Sequence, residues 1–264
     1  MRKKIGFLLI ACCIGTAQIA GLCADNPSPE QLVALHLKSI GEPAALSGVK
    51  SMAFAGIYKV QFIMGGFGVQ NGNAMLVSEG AKIAIDMDYG EYFAYDGKSV
   101  TVKNILPGQK SPLADFLSFY NKIMKNGLFG GVYSNAWPLL DIGRSEAGMN
   151  IRKTKVENVE LYELEYRPKD HHGEMKICLY FAPETFRHMR THYYVRTAVG
   201  FDVRPHLTEK FENFKKVGDL TLPHSYTLQL ELERSSTITR WEIQASEWIF
   251  NRPNIDPRIF RVED

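Results

Sequence analysis

Cysteine is scarce in this chain, and three of its four cysteines (Cys12, Cys13 and Cys23) crowd into the first 24 residues. Cys178 is then alone in the remainder, which excludes an intramolecular disulfide there. No activating motif surrounds it, so it reads as a small strand residue rather than a nucleophile. The spacings C-x-x-C, H-E-x-x-H and G-x-S-x-G are all missing, so the sequence offers no marker for a zinc site or a serine hydrolase. An excess of one charge is missing too, with 31 Lys and Arg against 29 Asp and Glu. Arg2, Lys3 and Lys4 fall in the first 24 positions without an acid beside them, so the rest of the chain is close to neutral. There is no basic cluster interleaved with aromatics, and hence no polynucleotide footprint. No Pro/Gly/Ser-rich linker and no internal repeat divides residues 25–264, which are enough to bury one sizeable core.

The N-terminus has the layout of an export signal. Met1–Lys4 is basic, Ile5–Leu22 carries no charge, and Asp25-Asn26-Pro27 breaks the run. Cleavage is expected after Ala24. Two other fates are open: an uncleaved anchor, or lipidation, for which Leu9-Ile10-Ala11-Cys12 is the better box and Cys23 the poorer one.

The clearest regular stretch lies near the other end. Tyr226, Leu228, Leu230 and Leu232 alternate with Thr227, Gln229, Glu231 and Glu233, the pattern of a strand with one apolar face. A second strand follows with Trp241, Ile243 and Ala245 in phase, and the slip to Trp248 and Phe250 predicts a bulge near Glu247. Upstream, Phe54, Tyr58, Val60 and Phe62 share a parity, as do Ala81, Ile83, Ile85 and Met87. Asp96-Gly97 is a hairpin turn signal. Tyr162/Leu164/Tyr166, Met175/Ile177/Leu179/Phe181 and Met189/Thr191/Tyr193/Val195 form a second meander. Ser28, Pro29 and Gln31 give a capped helix start, and Gly41 a stop. The spacing Leu113, Phe116, Leu117, Tyr120, Ile123, Met124 predicts one amphipathic helix from Ser111 to Lys125, closed by Asn126-Gly127. About ten strands joined by hairpins, with helices at the start and in the middle, make an α+β fold with one large antiparallel sheet.

Candidates for chemistry are few. Gly65-Gly66-Phe67-Gly68 lacks the residues of a phosphate loop and reads as a hairpin connection. Glu163/Glu165 and Glu231/Glu233 read as carboxylates on solvated strand faces. His188 and His192 are placed on one strand face about 13 Å apart, so a metal site would need His172 and a nearby Glu as well. His36, inside the first helix pattern, reads as a packed or capping residue. What is abundant is apolar: the strand faces, and a mid-chain stretch containing Phe116, Phe119, Tyr120, Phe129, Tyr133 and Trp137.

Element order and several stretches then resemble a known superfamily. The capped helix ending in HLKSIG, the segment LYELEYRPKD…KICLYFAPETFRHMR and the close LTLPHSYTLQLELE…WEIQASEWIFNRPNIDPRIFRV are similar to the periplasmic lipoprotein-carrier superfamily, the LolA/LolB-like outer-membrane lipoprotein-sorting proteins. That resemblance implies an open half-barrel of strongly bent antiparallel sheet with a mid-chain helical lid, here about 111–140. It implies an exported periplasmic carrier, working as a monomer without cofactor, metal or covalent chemistry. Its cargo would be a lipid or lipidated protein, exchanged with inner- or outer-membrane partner proteins. The residues expected to line the cavity and lid are Phe54, Tyr58, Phe62, Leu113, Phe116, Leu117, Tyr120, Phe129, Trp137, Leu164, Leu179, Leu228, Leu230 and Trp241. A sensor or protein-interaction module on the same fold, and a metal-dependent enzyme built on His171–His192, are the alternatives.

Overall fold

The computed structural model describes residues 26–88, 90–140, 149–168, 173–232 and 236–262; the expected export signal and the expected cleavage point after Ala24 lie outside them. The chain opens with α1 (Pro29–Ile40) and α2 (Pro43–Gly48). Next come β1 (Ser51–Met64), β2 (Val69–Glu79), β3 (Lys82–Met87), β4 (Glu91–Tyr95), β5 (Val100–Val102), β6 (Asn104–Leu106) and β7 (Gln109–Lys110). The mid-chain segment holds α3 (Pro112–Phe119), α4 (Lys122–Lys125) and 3-10 turns at Gly131–Tyr133 and at 138–140. The second meander is β8 (Met149–Val156), β9 (Val159–Tyr166), β10 (Met175–Phe181), β11 (His188–Thr197) and β12 (Gly200–Phe201). Strands β13 (Leu207–Val217), β14 (Leu220–Leu232) and β15 (Thr237–Phe250), then a 3-10 turn at Pro257–Phe260, complete it.

Among the described residues, 13 strands form one antiparallel sheet in the order β5-β4-β3-β2-β1-β15-β14-β13-β11-β10-β9-β8, with β12 beside β11. β5 and β8 are its free edges, so the sheet is open. It is also strongly curled. Phe93 on β4 packs edge-on against Phe129, with ring centres 5.8 Å apart. The Tyr193 hydroxyl oxygen on β11 lies 3.3 Å from the Leu128 carbonyl oxygen. β4 and β11 would stand roughly 34 Å apart on a flat sheet, yet they touch consecutive residues.

Local sequence accounts for much of the curl. β15 gains one extra residue against β1, because Ala55 pairs with Glu247 while Gly56 pairs with Ala245. This is the bulge expected near Glu247, centred on Ser246. Gly56 is required opposite it: a Cβ there would sit 2.0 Å from the Gln244 carbonyl oxygen. A second bulge separates Tyr180↔Arg190 from Phe181↔His188, leaving Met189 as the extra residue. Bulges bend and twist a sheet locally.

The first helix forms as its capping signals predict. Ser28 accepts from the Gln31 amide, and the Gln31 side chain accepts from the Ser28 amide. The mid-chain helix departs from expectation. It breaks at Tyr120–Asn121 into α3 and α4, with the Asn121 side chain donating to the Ser118 carbonyl at 3.1 Å. Asn competes for backbone groups that a continuing helix would use. Phe119 is exposed, and Ile123 and Met124 still reach the core.

Leu128, Phe129, Tyr133, Trp137 and Leu139 then run through the hollow of the sheet, each 0–1% exposed. They join both wings of the sheet into one apolar cluster. The convex side carries two smaller clusters, one around Val77, Ala84, Ala94 and Phe260 under the C-terminal turn, the other around Leu161, Cys178 and Tyr180. The turns β1–β2, β9–β10, β11–β12 and β14–β15 lie at one end of the strands, the rim. The turns β2–β3, β4–β5, β8–β9 and β13–β14 lie at the other, the base.

Candidate apolar ligand site

Most residues expected to line an apolar cavity converge on the concave side. Phe54, Tyr58, Leu113, Phe116, Leu117, Phe129, Trp137, Leu164, Leu179, Leu228, Leu230 and Trp241 all belong to the one buried cluster, and Tyr120 packs against its margin. Phe62 stands apart, partly exposed near the rim. The side chains of the mid-chain segment fill the space these residues surround. Tyr133 packs on Phe54, Phe211 and Tyr226 at ring distances of 5.1–5.8 Å, and Trp137 packs between His36 and His188 at 5.0 and 5.1 Å.

Open volume remains at the base. A cavity of about 710 Å³ lies between α1, α2, the first residues of β1 and β14, and the mid-chain segment. Its walls are largely apolar: Leu37, Ile40, Leu46, Val49, Met52, Val132, Leu220 and Leu222, with Lys38, Glu42, Lys50, Ser134 and Asn135 among the polar lining. This falls within the 300–1,000 Å³ usual for small-ligand pockets. None of the cavity and lid residues expected from the sequence lines it. Its walls come from three stretches remote in sequence, 34–52, 132–140 and 220–222, and periodicity carries no signal for such a junction.

Two buried carboxyls tie the mid-chain segment down, and both escaped the sequence reading. Glu209 on β13 is fully buried. Its Oε1 accepts from the Gly130 amide at 2.8 Å and from the Tyr226 hydroxyl at 2.5 Å, and its Oε2 accepts from Tyr193 at 2.7 Å. Burial pushes this carboxyl up to about 7, against the pull of the three donors. Glu91 at the start of β4 is also pushed up to about 7 by burial. It accepts from the Ser111 hydroxyl at 2.6 Å, and Ser111 in turn caps α3 through the Ala114 amide at 3.0 Å. The segment is thus held at its entry by Glu91 and at its middle by Glu209. A signal was present: Glu209 shares strand parity with Leu207 and Phe211, and Glu91 with Phe93 and Tyr95.

The histidines do not converge as a metal site would require. Because Met189 is bulged out, His188 points into the core against Phe211 at 4.8 Å, while His192 lies on the convex face against Tyr180 at 4.7 Å. The shared strand face expected for them is therefore wrong, and His172 lies outside the described residues. Burial holds His192 down to about 4 and His188 well below its ordinary value. His36 is held down to about 4, with Nδ1 on the Phe186 carbonyl at 2.9 Å. No group of three or more metal-ligating side chains occurs among the described residues. Glu163 corrects a second expectation. It is buried on the convex face, paired with Arg152 at 2.8 Å and within 3.7 Å of the Cys178 sulfur. Burial, with Glu163 beside it, pushes the Cys178 thiol up to about 12, the opposite of an activated nucleophile.

Among the described residues no helix is long and apolar enough to cross a membrane. No protein-family model and no curated protein matches the chain. Solved structures do resemble it. A LolA superfamily protein from Nitrosomonas europaea is 11% identical, covering 87% of this chain and 96% of its own, with a TM-score of 0.47. A DUF1329 family protein from Desulfovibrio piger is 11% identical over 86% and 95%, with a TM-score of 0.49. A protein named as an outer membrane lipoprotein-sorting domain, from Vibrio parahaemolyticus, is 12% identical over 86% and 95%, with a TM-score of 0.43. At these identities the likeness concerns the fold and says nothing of cargo.

Proposed function

We propose that this protein is an exported, periplasmic carrier that binds the acyl chain of a lipid or lipidated protein and does no covalent chemistry. The observation that carries the reading is the 710 Å³ apolar cavity at the base of the half-barrel. Each methylene taken from water into such a lining contributes about 0.8 kcal/mol, so an extended chain of modest length binds without any polar anchor. The interior residues, from Phe54 to Trp241, would meet cargo only if the mid-chain segment moved. Exposing Phe129, Tyr133 and Trp137 alone would cost roughly 5–9 kcal/mol. A deeper-seated chain must therefore replace those side chains as they leave. Cavity filling tests the reading. Leu46 lines the cavity, and Leu46→Trp should abolish binding of a fluorescent fatty acid while leaving the thermal midpoint within a few degrees of wild type. Equal probe affinity in the folded variant would show that acyl chains do not bind there.

A further inference from the structure

Hairpin turns are ordinarily polar, and at the base of this sheet they are: Asp96-Gly97-Lys98, Glu157-Asn158 and Gly218-Asp219. At the rim the rule is broken. The β1–β2 turn places Phe67 at its tip with its side chain 102% exposed, flanked by the exposed Ile63, Met64 and Val69. Gly65 and Gly68 at φ 78° and 102° let the backbone make this turn, and around Gly68 there is only open space. The hairpin carrying β12 presents Val199 at 99% and Val203 at 96%, with Phe201 between them. The β6–β7 hairpin, whose Ile105 reaches Gly90 beside the rim end of β4, adds the exposed Leu106. The rim groove lined by Pro168, Glu174 and Met175 brings in the exposed Phe119.

From these tips we infer that the rim of the half-barrel docks on the surface of an anionic lipid bilayer. The Phe67 and Val199 hairpins are separated by four strand steps, roughly 19 Å along the rim. Separate protruding side chains at one end of a sheet suit a soft plane, whereas a protein partner requires a continuous, well-packed patch. The charges agree. The three hairpins spanning 62–70, 103–110 and 196–206 carry Lys103, Lys110, Arg196 and Arg204 against Asp202, all four basic residues being exposed, while the β3–β4 and β9–β10 turns add the exposed Arg167 against Asp88 and Glu174. Arg196 lies over the Phe201 ring at 5.8 Å, joining a cation to an apolar tip. Basic residues at an anionic surface each strengthen binding by about five-fold, and a buried aromatic side chain by ten-fold or more. The docking does not rest on the cargo reading, because a chain with an empty base cavity would still present this rim.

Vesicle flotation tests it, using the chain as its host processes it and comparing variants in that same form, so that the N-terminal stretch is constant. Wild type should float with phosphatidylcholine vesicles containing phosphatidylglycerol, and the binding should weaken with salt. Phe67→Ser should weaken it by ten-fold or more, and so should Val199→Ser with Val203→Ser. Arg196→Gln with Arg204→Gln should remove about twenty-five-fold of the affinity for anionic vesicles. Val159→Ser, an exposed residue at the base, should change nothing. All of these side chains are at the surface, so unchanged thermal midpoints verify folding. The inference is overturned if wild type does not float, or if Phe67→Ser floats equally well. It is equally overturned if Phe67 instead supports a concentration-dependent dimer in sedimentation.

Discussion

Replacing Glu209 by Gln isolates the anchor that holds the mid-chain segment in the half-barrel. Gln is nearly isosteric, so its oxygen can keep the Gly130 and Tyr226 donors, and its amide can donate to the Tyr193 hydroxyl. The variant should fold. What it loses is a titration. The carboxyl sits at about 7 in the folded chain against 4.5 ordinarily. A group raised on folding contributes stability that is fully present below its unfolded value and is lost as pH rises through its folded value. For these two values the contribution falls by roughly 1 kcal/mol between pH 6 and 8, and by roughly 2–3 kcal/mol between pH 5 and 8. The buried neutral histidines act with the opposite sign, since the unfolded chain protonates them first as pH falls. They are common to both proteins and cancel in the difference. Urea unfolding at a series of pH values should therefore show Glu209→Gln gaining roughly 2–3 kcal/mol on wild type from pH 5 to pH 8. A difference in stability that stays constant across that range would refute the reasoning.

Other substitutions probe other parts of the account. Leu117 on α3 is fully buried, so Leu117→Asp should destabilise the domain by about 4 kcal/mol in urea melts; an unchanged melt with lost probe binding would mean that α3 is a loosely held cover. Gly56→Ala sets a Cβ against the Gln244 carbonyl at the β15 bulge and should cost about 3 kcal/mol, read from the same melts. Cys178, buried with its thiol pushed up to about 12, should react with a thiol reagent at pH 8 only as fast as the protein opens; rapid labelling of the native state would contradict its burial.

The fold was legible where a single strand or helix carries its own pattern. The alternation through Tyr226–Leu232, the Ser28 capping box and the phase slip near Glu247 each reappear as structure, because side-chain parity and cap chemistry are local. Two departures lie where an apolar pattern runs on through an irregularity of the backbone. Met189 is an extra residue in β11, so parity counted through it puts His188 on the wrong face, and the sequence marks that bulge with no glycine. The helix from Ser111 was read as continuous because apolar spacing persists across Tyr120–Asn121; its break depends on a side-chain bond to the Ser118 carbonyl. Glu163 was placed in solvent by alternation alone, whereas β9 and β10 are covered on both faces. The base cavity was out of reach entirely, since it exists only once α1, α2, β1 and β14 meet.

Mass spectrometry of the protein under native conditions shows whether an acyl chain occupies it. Protein recovered from the envelope of its own host, with no lipid added, should carry a mass increment that disappears on organic extraction and matches a lipid or lipid-modified species in the extract. In Leu46→Trp the increment should be lost while the chain remains folded. Wild-type protein that arrives free of any increment, and binds none when offered host lipids, would mean that acyl chains are not its cargo.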